Sequence, residues 1–338
     1  MLAKFLAMRR AIVVRVGNVA FAMLLTAVIT ACSATSHPDT ASPTVGPGRG
    51  FPALGPWATY YGSAANLDLA KTAAAFRIID IDADPGINNF TAGHIATLRA
   101  GGANRVLSYF NIGAIESFRT YWTRVPAGYV APARNTNAQL GPYQGYPDEV
   151  WMNPADDAWR SVLVDVVAPR LVAQGIDGFY FDNLELLTHN ETASAPACDD
   201  ACVHGGFALI ATLRARYPNL LFVMQGGTET TTRRGIVGAA TFASLLDGVA
   251  HESVFTQRVG PSDVLKTDPG VVADLRAWND AGLEPGGRTF FVGTLDYVDS
   301  CTNTTSAMEA YRQSRDAQFS PYASDTSAKQ QTLCFWNF

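Results

Sequence analysis

Apolar residues gather in eight short runs separated by stretches of helical periodicity. The runs are Trp57–Tyr61, Phe76–Asp82, Arg105–Asn111, Ile176–Asp182, Leu220–Gln225, Leu246–Glu252, Thr289–Asp296 and Thr332–Asn337. Most are continuously apolar rather than alternating, the pattern of parallel strands covered on both faces. The clearest intervening helix is predicted to start at Asn153 as N-cap, with Pro154 in the first helical position and Asp156 and Asp157 in the first turn. Trp159, Val162, Leu163, Val166 and Val167 then follow helical spacing, and Pro169 predicts a kink or an early end. Eight strand-then-helix units in about 280 residues predict an α/β fold, a (β/α)₈ barrel of the TIM type, with an open doubly wound sheet as the rival. No GxGxxG follows a strand and no GxxxxGK[ST] occurs, so a dinucleotide or P-loop site has no support. Because the chain ends inside the eighth run, either the eighth helix is missing or the segment before Trp57 covers that gap.

The N-terminus has a different pattern. Lys4, Arg9, Arg10 and Arg15 precede the apolar run Val19–Ile29, which is short for a membrane span. It closes in Ile29-Thr30-Ala31-Cys32, which resembles a bacterial lipobox. The expectation is a lipoprotein signal peptide over residues 1–31 with Cys32 lipidated, an ordinary cleavable signal ending near Ala31 being the alternative. Residues 32–55 are rich in Ser, Thr, Pro and Gly and read as a flexible linker. The barrel domain is expected over residues 56–338, exported and held by its lipid at the cell surface or in the periplasm, or secreted where the signal is the ordinary cleavable one.

Composition narrows the classes. Of 338 residues 48% are hydrophobic and 16% charged, which excludes disorder over the whole length. Lys plus Arg number 25 against 30 Asp plus Glu, a net charge of -5, which argues against a nucleic-acid binder. Setting Cys32 aside leaves Cys198, Cys202, Cys301 and Cys334 in an oxidising compartment, where disulfides are favoured. Three pairings are open, and Cys198–Cys202 with Cys301–Cys334 is preferred. No closely spaced CxxC or HxxxH accompanies them, so no metal or other cofactor is expected.

Polar residues gather at the strand ends: Tyr60 and Tyr61, Asp80 and Asp82, Asn111, Asp182 and Asn183, Gln225, Glu252, Asp296 and Tyr297. In such a barrel these ends carry the chemistry. A lone Asp there could cap a helix, but these carboxylates precede the loops rather than start the helices. Glycosidic cleavage needs one carboxylic acid and one carboxylate. Asp182 and Glu252 end strands four and six, and alternate strands share a layer, so the two can face each other across the mouth. His251 should point the other way and pack. Asp80, Asp82 and Asp84 begin like a calcium loop, but Gly86 is one place late and Thr91 stands where a bidentate Glu belongs. The long stretch from Phe118 to Pro154 carries Tyr121, Trp122, Tyr129, Tyr143, Tyr146 and Trp151, either a self-packed loop or a set of sugar platforms.

The run Gly175-Ile-Asp-Gly-Phe-Tyr-Phe-Asp-Asn-Leu-Glu185 resembles the fourth-strand signature of the endo-α-1,4-polygalactosaminidase family of glycoside hydrolases. Trp57–Tyr61, Ile79–Asp82, Ser108–Gly113 with Glu116 and Arg119, Trp151, Gln225 and Gly248–Phe255 are similar to that family as well. The resemblance runs from Pro56 to the C-terminus. It implies a TIM barrel that cleaves α-1,4-linked galactosamine polymers within the chain, with catalytic carboxylates at Asp182 and Glu252. By analogy with α-specific barrels, Asp182 is the expected nucleophile and Glu252 the acid/base of a retaining reaction. Substrate contacts are expected from Tyr60, Asp80, Asp82, Tyr109, Trp151, Asn183, Glu185, Gln225, Asp296 and Tyr297. The expected partner is a cationic polysaccharide, met by a monomer. Two other classes stay open: a non-catalytic carbohydrate-binding barrel, and a transporter's solute-binding lipoprotein, which usually has a hinge for which no midway linker is evident.

Overall fold

The computed structural model describes residues 50–51, 55–188, 195–259, 262–265, 267–282, 289–325 and 329–338. Cys32, the leader and most of the linker lie outside them. Eight strands form one parallel sheet in chain order: β1 (Trp57–Tyr60), β2 (Ile78–Ile81), β3 (Arg105–Asn111), β4 (Gly178–Asp182), β5 (Leu221–Gln225), β6 (Gly248–Glu252), β7 (Phe291–Val298) and β8 (Ser320–Asp325). Among the described residues no ladder joins β8 to β1. The seam is bridged instead by Trp57, whose Nε1 donates to Ser320 O at 2.8 Å and whose ring meets Tyr322 at 6.2 Å. The architecture is a (β/α)₈ barrel. Among the described residues no helix is long and apolar enough to cross a membrane.

Period-two alternation decides which side chains reach the interior. On β4, Phe179 and Phe181 pack with Phe222 at 5.7 and 5.0 Å, which leaves Tyr180 and Asp182 on the opposite, inner face. On β7, Phe291 and Gly293 face Trp57, and a Cβ at Gly293 would lie 2.7 Å from the Phe291 ring. Leu295 and Tyr297 share that face. Asp296 is thereby turned outward.

Two sequence expectations about the elements need correction. The eighth strand is Ser320–Asp325, not Thr332–Asn337. Ser-Pro-Tyr-Ala-Ser-Asp is too small and polar to register as a strand. The tail is apolar because it covers the barrel. Phe335 lies 5.7 Å from Phe76 with the Lys71 ammonium 3.9 Å over its ring, and Trp336 Nε1 donates to Ala323 O at 2.8 Å. The tail therefore follows β8 where a helix would stand, and the helix Thr304–Asp316 precedes β8. The second correction concerns the helix expected from Asn153, which begins at Asp157 with Asp156 as N-cap accepting from Trp159 N. Asn153 Oδ1 is spent on Ala155 N, a local turn. Pro169 does disturb this helix: a π-helical stretch, Val162–Val167, comes just before the helix Ala168–Val172 that holds it.

Disulfides join Cys198 to Cys202 and Cys301 to Cys334. Phe51, placed by sequence in the linker, is buried and packs 5.0 Å from Phe291.

Candidate active site

The strands open at their C-terminal ends into a cavity of about 1110 Å³. Asp182 closes β4 and Glu252 closes β6, and both line it, with Asp82 from beyond β2, Tyr109 from β3, Gln225 from β5, and Asn183 and Glu185. Small residues make the inner approach possible: on β6, Gly248 and Ala250 share the parity of Glu252, and a Cβ on Gly248 would meet Phe291 at 2.7 Å. Each carboxylate strand is followed by a residue with left-handed backbone, Asn183 at φ 61° and Ser253 at φ 54°. Asn183 Nδ2 donates to Asn111 Oδ1 at 3.0 Å, and a Cβ on Gly113 would fall 2.0 Å from Asn183 O, so only glycine fits there.

An insertion after β3 forms one wall. It holds three antiparallel strands, Ala114–Glu116, Gln139–Pro142 and Glu149–Met152, and the last of these with the turn before it presents Tyr143, Tyr146 and Glu149 to the cavity. Tyr143 stacks 4.2 Å on buried Trp151, and its hydroxyl donates to Glu185 Oε1 at 3.1 Å. Asn111 Nδ2 donates to Glu149 Oε1 at 3.2 Å. In the same insertion, buried Arg119 pairs with Glu116 at 3.0 Å and reaches Asp82 at 2.8 Å, while Asp84 is held by Arg170.

Electrostatics sort the carboxylates. Burial raises Asp182 to about 6, although Asn183 N–H and the Tyr109 hydroxyl stabilise its ionised form. Burial and then the Asp182 charge raise Glu252 to about 7, opposed by a hydrogen bond from Tyr297. Glu185 is raised by burial and by Asp182 beside it. Burial, followed by repulsion from Glu116, Asp182 and Glu185, puts Glu149 at about 8. Burial also pushes on Glu116, but the Arg119 charge and hydrogen bonds outweigh it and hold that carboxyl low. Near neutrality, then, Asp182 is the member of the central group most easily ionised, and Glu252 holds its proton longer. Among the described residues no group of three His, Cys, Asp or Glu is placed to hold a metal ion.

Of the residues expected to touch substrate, Asp82, Tyr109, Asn183, Glu185 and Gln225 line the cavity. Five do not, and each has a physical reason. Tyr60 falls on the outer face of β1, packs on Phe90 and donates to Ser63 O; Tyr61, next in line, reaches the cavity. Asp80 lies one layer deeper, under Tyr61, whose hydroxyl donates to Asp80 Oδ2 at 2.6 Å. Asp296, outward on β7, accepts from Phe255 N and Thr256 N and fixes the loop beyond β6. Tyr297 is 5% exposed and contacts Glu252 from behind. Trp151 is the support under Tyr143. His251 is outside the lining, with Nδ1 2.7 Å from Glu252 O. Sequence reasoning did not single out Glu149, Phe118 or Gln330, which lie in segments without strand or helix periodicity.

A model of the glycoside-hydrolase family GH114 matches residues 39–335, and the chain belongs to that family. A Deinococcus radiodurans protein of uncharacterised role is 25% identical over 247 residues, 72% of each chain. The glycoside hydrolase domain of PelA from Pseudomonas aeruginosa is similar in structure, with a TM-score of 0.60 at 18% identity, over 82% of this chain and 96% of that one. Aspergillus fumigatus Ega3, solved in complex with galactosamine, has a TM-score of 0.56 at 15% identity, covering 85% and 95%. At these identities the two structures share the barrel fold. The chain is a glycoside hydrolase by family.

Proposed function

We propose that this member of the glycoside-hydrolase family GH114 cleaves α-1,4-linked galactosamine polymers within the chain, with retention of configuration. One observation carries the reading. Two carboxylates from alternate strands line one cavity, and the environment leaves Asp182 the readier anion and Glu252 the readier acid. In the first step Asp182 attacks the anomeric carbon. The bond to the leaving oxygen breaks, an ester to Asp182 forms, and the Glu252 proton passes to that oxygen. In the second step water gives its proton to Glu252, its oxygen bonds the anomeric carbon, and Asp182 leaves.

The charge of the cavity supports an aminosugar. Seven carboxylates line it (Asp82, Glu116, Asp148, Glu149, Asp182, Glu185 and Glu252) against Arg119 and Lys329. Asp82 and Glu116 are answered by Arg119 and Asp182 and Glu252 serve the chemistry; of the remaining three, Glu149 and Glu185, both raised by burial and neighbouring charge, are placed to receive an ammonium. That ammonium would relieve the repulsion that now holds both partly protonated. The galactosamine bound to Ega3 supports the same sugar class. A non-catalytic binding barrel would need neither Asp182 nor Glu252, and a hinged solute receptor would place its site between two lobes rather than at one barrel mouth.

The deciding experiment is incubation with partially deacetylated α-1,4-galactosaminan, followed by separation of products. Short oligosaccharides whose new reducing ends are first released as the α-anomer support the reading. Release of the β-anomer removes retention, and intact polymer removes the activity. The lipid anchor at Cys32 belongs to the same proposal, and loss of membrane partition in Cys32→Ala is its test.

A further inference from the structure

Three residues of the C-terminal tail, Lys329, Gln330 and Gln331, line the cavity although the barrel is complete at Asp325. Gln330 differs from its neighbours. It is 5% exposed, its backbone is left-handed at φ 46°, and it is bonded at both ends. Its carbonyl accepts from Tyr61 N at 2.7 Å, just past β1, and its Nε2 donates to Tyr297 Oη at 2.5 Å, near the end of β7. A non-glycine residue held in this conformation needs surroundings that fix it. Here they are the two hydrogen bonds and the Cys301–Cys334 disulfide, which ties the tail to the segment leaving β7. Cys334 N also donates to Tyr322 Oη at 3.0 Å.

The chemistry follows from the donor count. A tyrosine hydroxyl has one proton and accepts through its lone pairs. With Gln330 Nε2 donating to Tyr297 Oη, the Tyr297 proton is free to point at Glu252 on the paired strand β6. We propose that Gln330 is a positioning residue for the acid/base: through Tyr297 it aims a donor at the Glu252 carboxylate, making the C-terminal tail part of the catalytic apparatus. This rests on the reading of Glu252 as acid/base. The titratable groups facing Glu252 are Asp182 and Tyr180 from β4, Glu185 just beyond it, Tyr146 from the insertion and Tyr297 from β7. Asp182 and Glu185 are carboxylates that repel a charge on Glu252, Tyr180 spends its proton on Gln225 Oε1 at 2.6 Å, and Tyr297 is the group whose hydroxyl favours the ionised Glu252.

Two substitutions isolate the relay, Tyr297→Phe and Gln330→Met, which keep volume and delete one polar group each. Glu252 is followed in the full chain by its carboxyl ¹³C shift, assigned through the signal lost in Glu252→Gln. Tyr297→Phe should raise the Glu252 midpoint by about 0.5–1 pH unit. Gln330→Met should raise it in the same direction by less. The double variant should match Tyr297→Phe alone, because Gln330 acts only through Tyr297. The alkaline limb of kcat/KM on galactosaminan should move with these midpoints, with a roughly 10- to 100-fold loss of turnover from misplacement. A merely structural tail would lower activity and leave both midpoint and limb in place, and that result overturns the inference. So does a double variant whose shift is the sum of the two. Since the ¹³C midpoint needs no turnover, an inactive wild type would remove the proposed function and leave the relay to stand or fall on the titration.

Discussion

Asn183 and Ser253 occupy equivalent places. Each follows a cavity carboxylate at a strand end, and each turns the chain through the left-handed region, at φ 61° and 54°. The two turns end β4 and β6 abruptly and leave Asp182 and Glu252 at the mouth. For a non-glycine residue such backbone costs roughly 1–3 kcal/mol. Ser253→Gly should therefore keep activity and match or exceed wild-type stability, gaining up to about 1 kcal/mol, whereas Ser253→Val should lose about 1–3 kcal/mol. Urea unfolding of both variants checks the sign. A destabilised glycine variant would mean that the Ser253 side chain, not its backbone, holds the turn.

Activity should follow a narrow bell. The rate rises as Asp182 ionises near 6 and falls as Glu252 loses its proton near 7, so the optimum lies between about 6 and 7. Asp182→Asn and Glu252→Gln should each cost at least about 10²-fold in turnover with the fold intact by circular dichroism. On a substrate with an activated leaving group, Glu252→Gln should keep its first step and lose the alkaline limb. A Glu252→Gln enzyme hydrolysing the polymer at a near-normal rate would remove that residue as the acid and make Glu185 the next to test.

Much of this site is legible in the sequence because it sits on strands. Asp182, Gln225 and Glu252 end apolar runs and Tyr109 stands two places before the end of another, and the period of two fixes their direction. Where the strand end was misplaced, direction failed too. Thr289–Asp296 made Asp296 a terminal residue, but β7 continues to Val298, and the same alternation sends Asp296 outward and Tyr297 inward. Tyr60 failed by the same one-residue shift in favour of Tyr61. β8 was illegible because Ser320–Asp325 is closed over by the tail, whose own apolar residues drew the assignment instead. Glu149 and Gln330 reach the cavity from an insertion and a tail, where no periodicity announces a direction.

Acidification should stabilise the protein before it denatures it. Glu252, Glu149 and Asp182 all have pKa values raised in the folded state, so the native form binds protons more tightly than the unfolded one. Their contribution is greatest below the unfolded values near 4 and is lost as pH rises through about 6 to 8. Thermal unfolding should thus occur at higher temperature near pH 5 than near pH 8. Glu252→Gln should remove part of that difference by raising the pH 8 midpoint by a few degrees. An unchanged or lowered midpoint at pH 8 would show that the buried charge is better solvated than its surroundings suggest.

The disulfides should be unequal. Cys301–Cys334 closes a sequence separation of 33 and Cys198–Cys202 one of 4. On the chain-entropy view these amount to about 4 and about 2 kcal/mol. The oxidised protein should show none of these four thiols free under denaturing, non-reducing conditions. Cys301→Ser with Cys334→Ser should lower stability more than Cys198→Ser with Cys202→Ser. Equal losses would show that strain or residual unfolded structure dominates the loop term.

Phe118 is 60% exposed on the cavity rim, with its ring 5.1 Å from the buried Arg119 guanidinium. An aromatic face left this open and held from below suits stacking on a sugar ring, whereas Tyr121 and Trp151 of the same insertion are buried. Because Phe118 stands apart from Asp182 and Glu252 in role, its effect should depend on substrate length. Phe118→Ala should lower kcat/KM on long galactosaminan by roughly 10-fold, the value of one stacking contact of about 1–1.5 kcal/mol. On a short activated glycoside that cannot reach the rim, the same variant should match wild type. Equal losses on both substrates would make Phe118 a structural prop for Arg119, and no loss on either would place the polymer along another wall of the cavity.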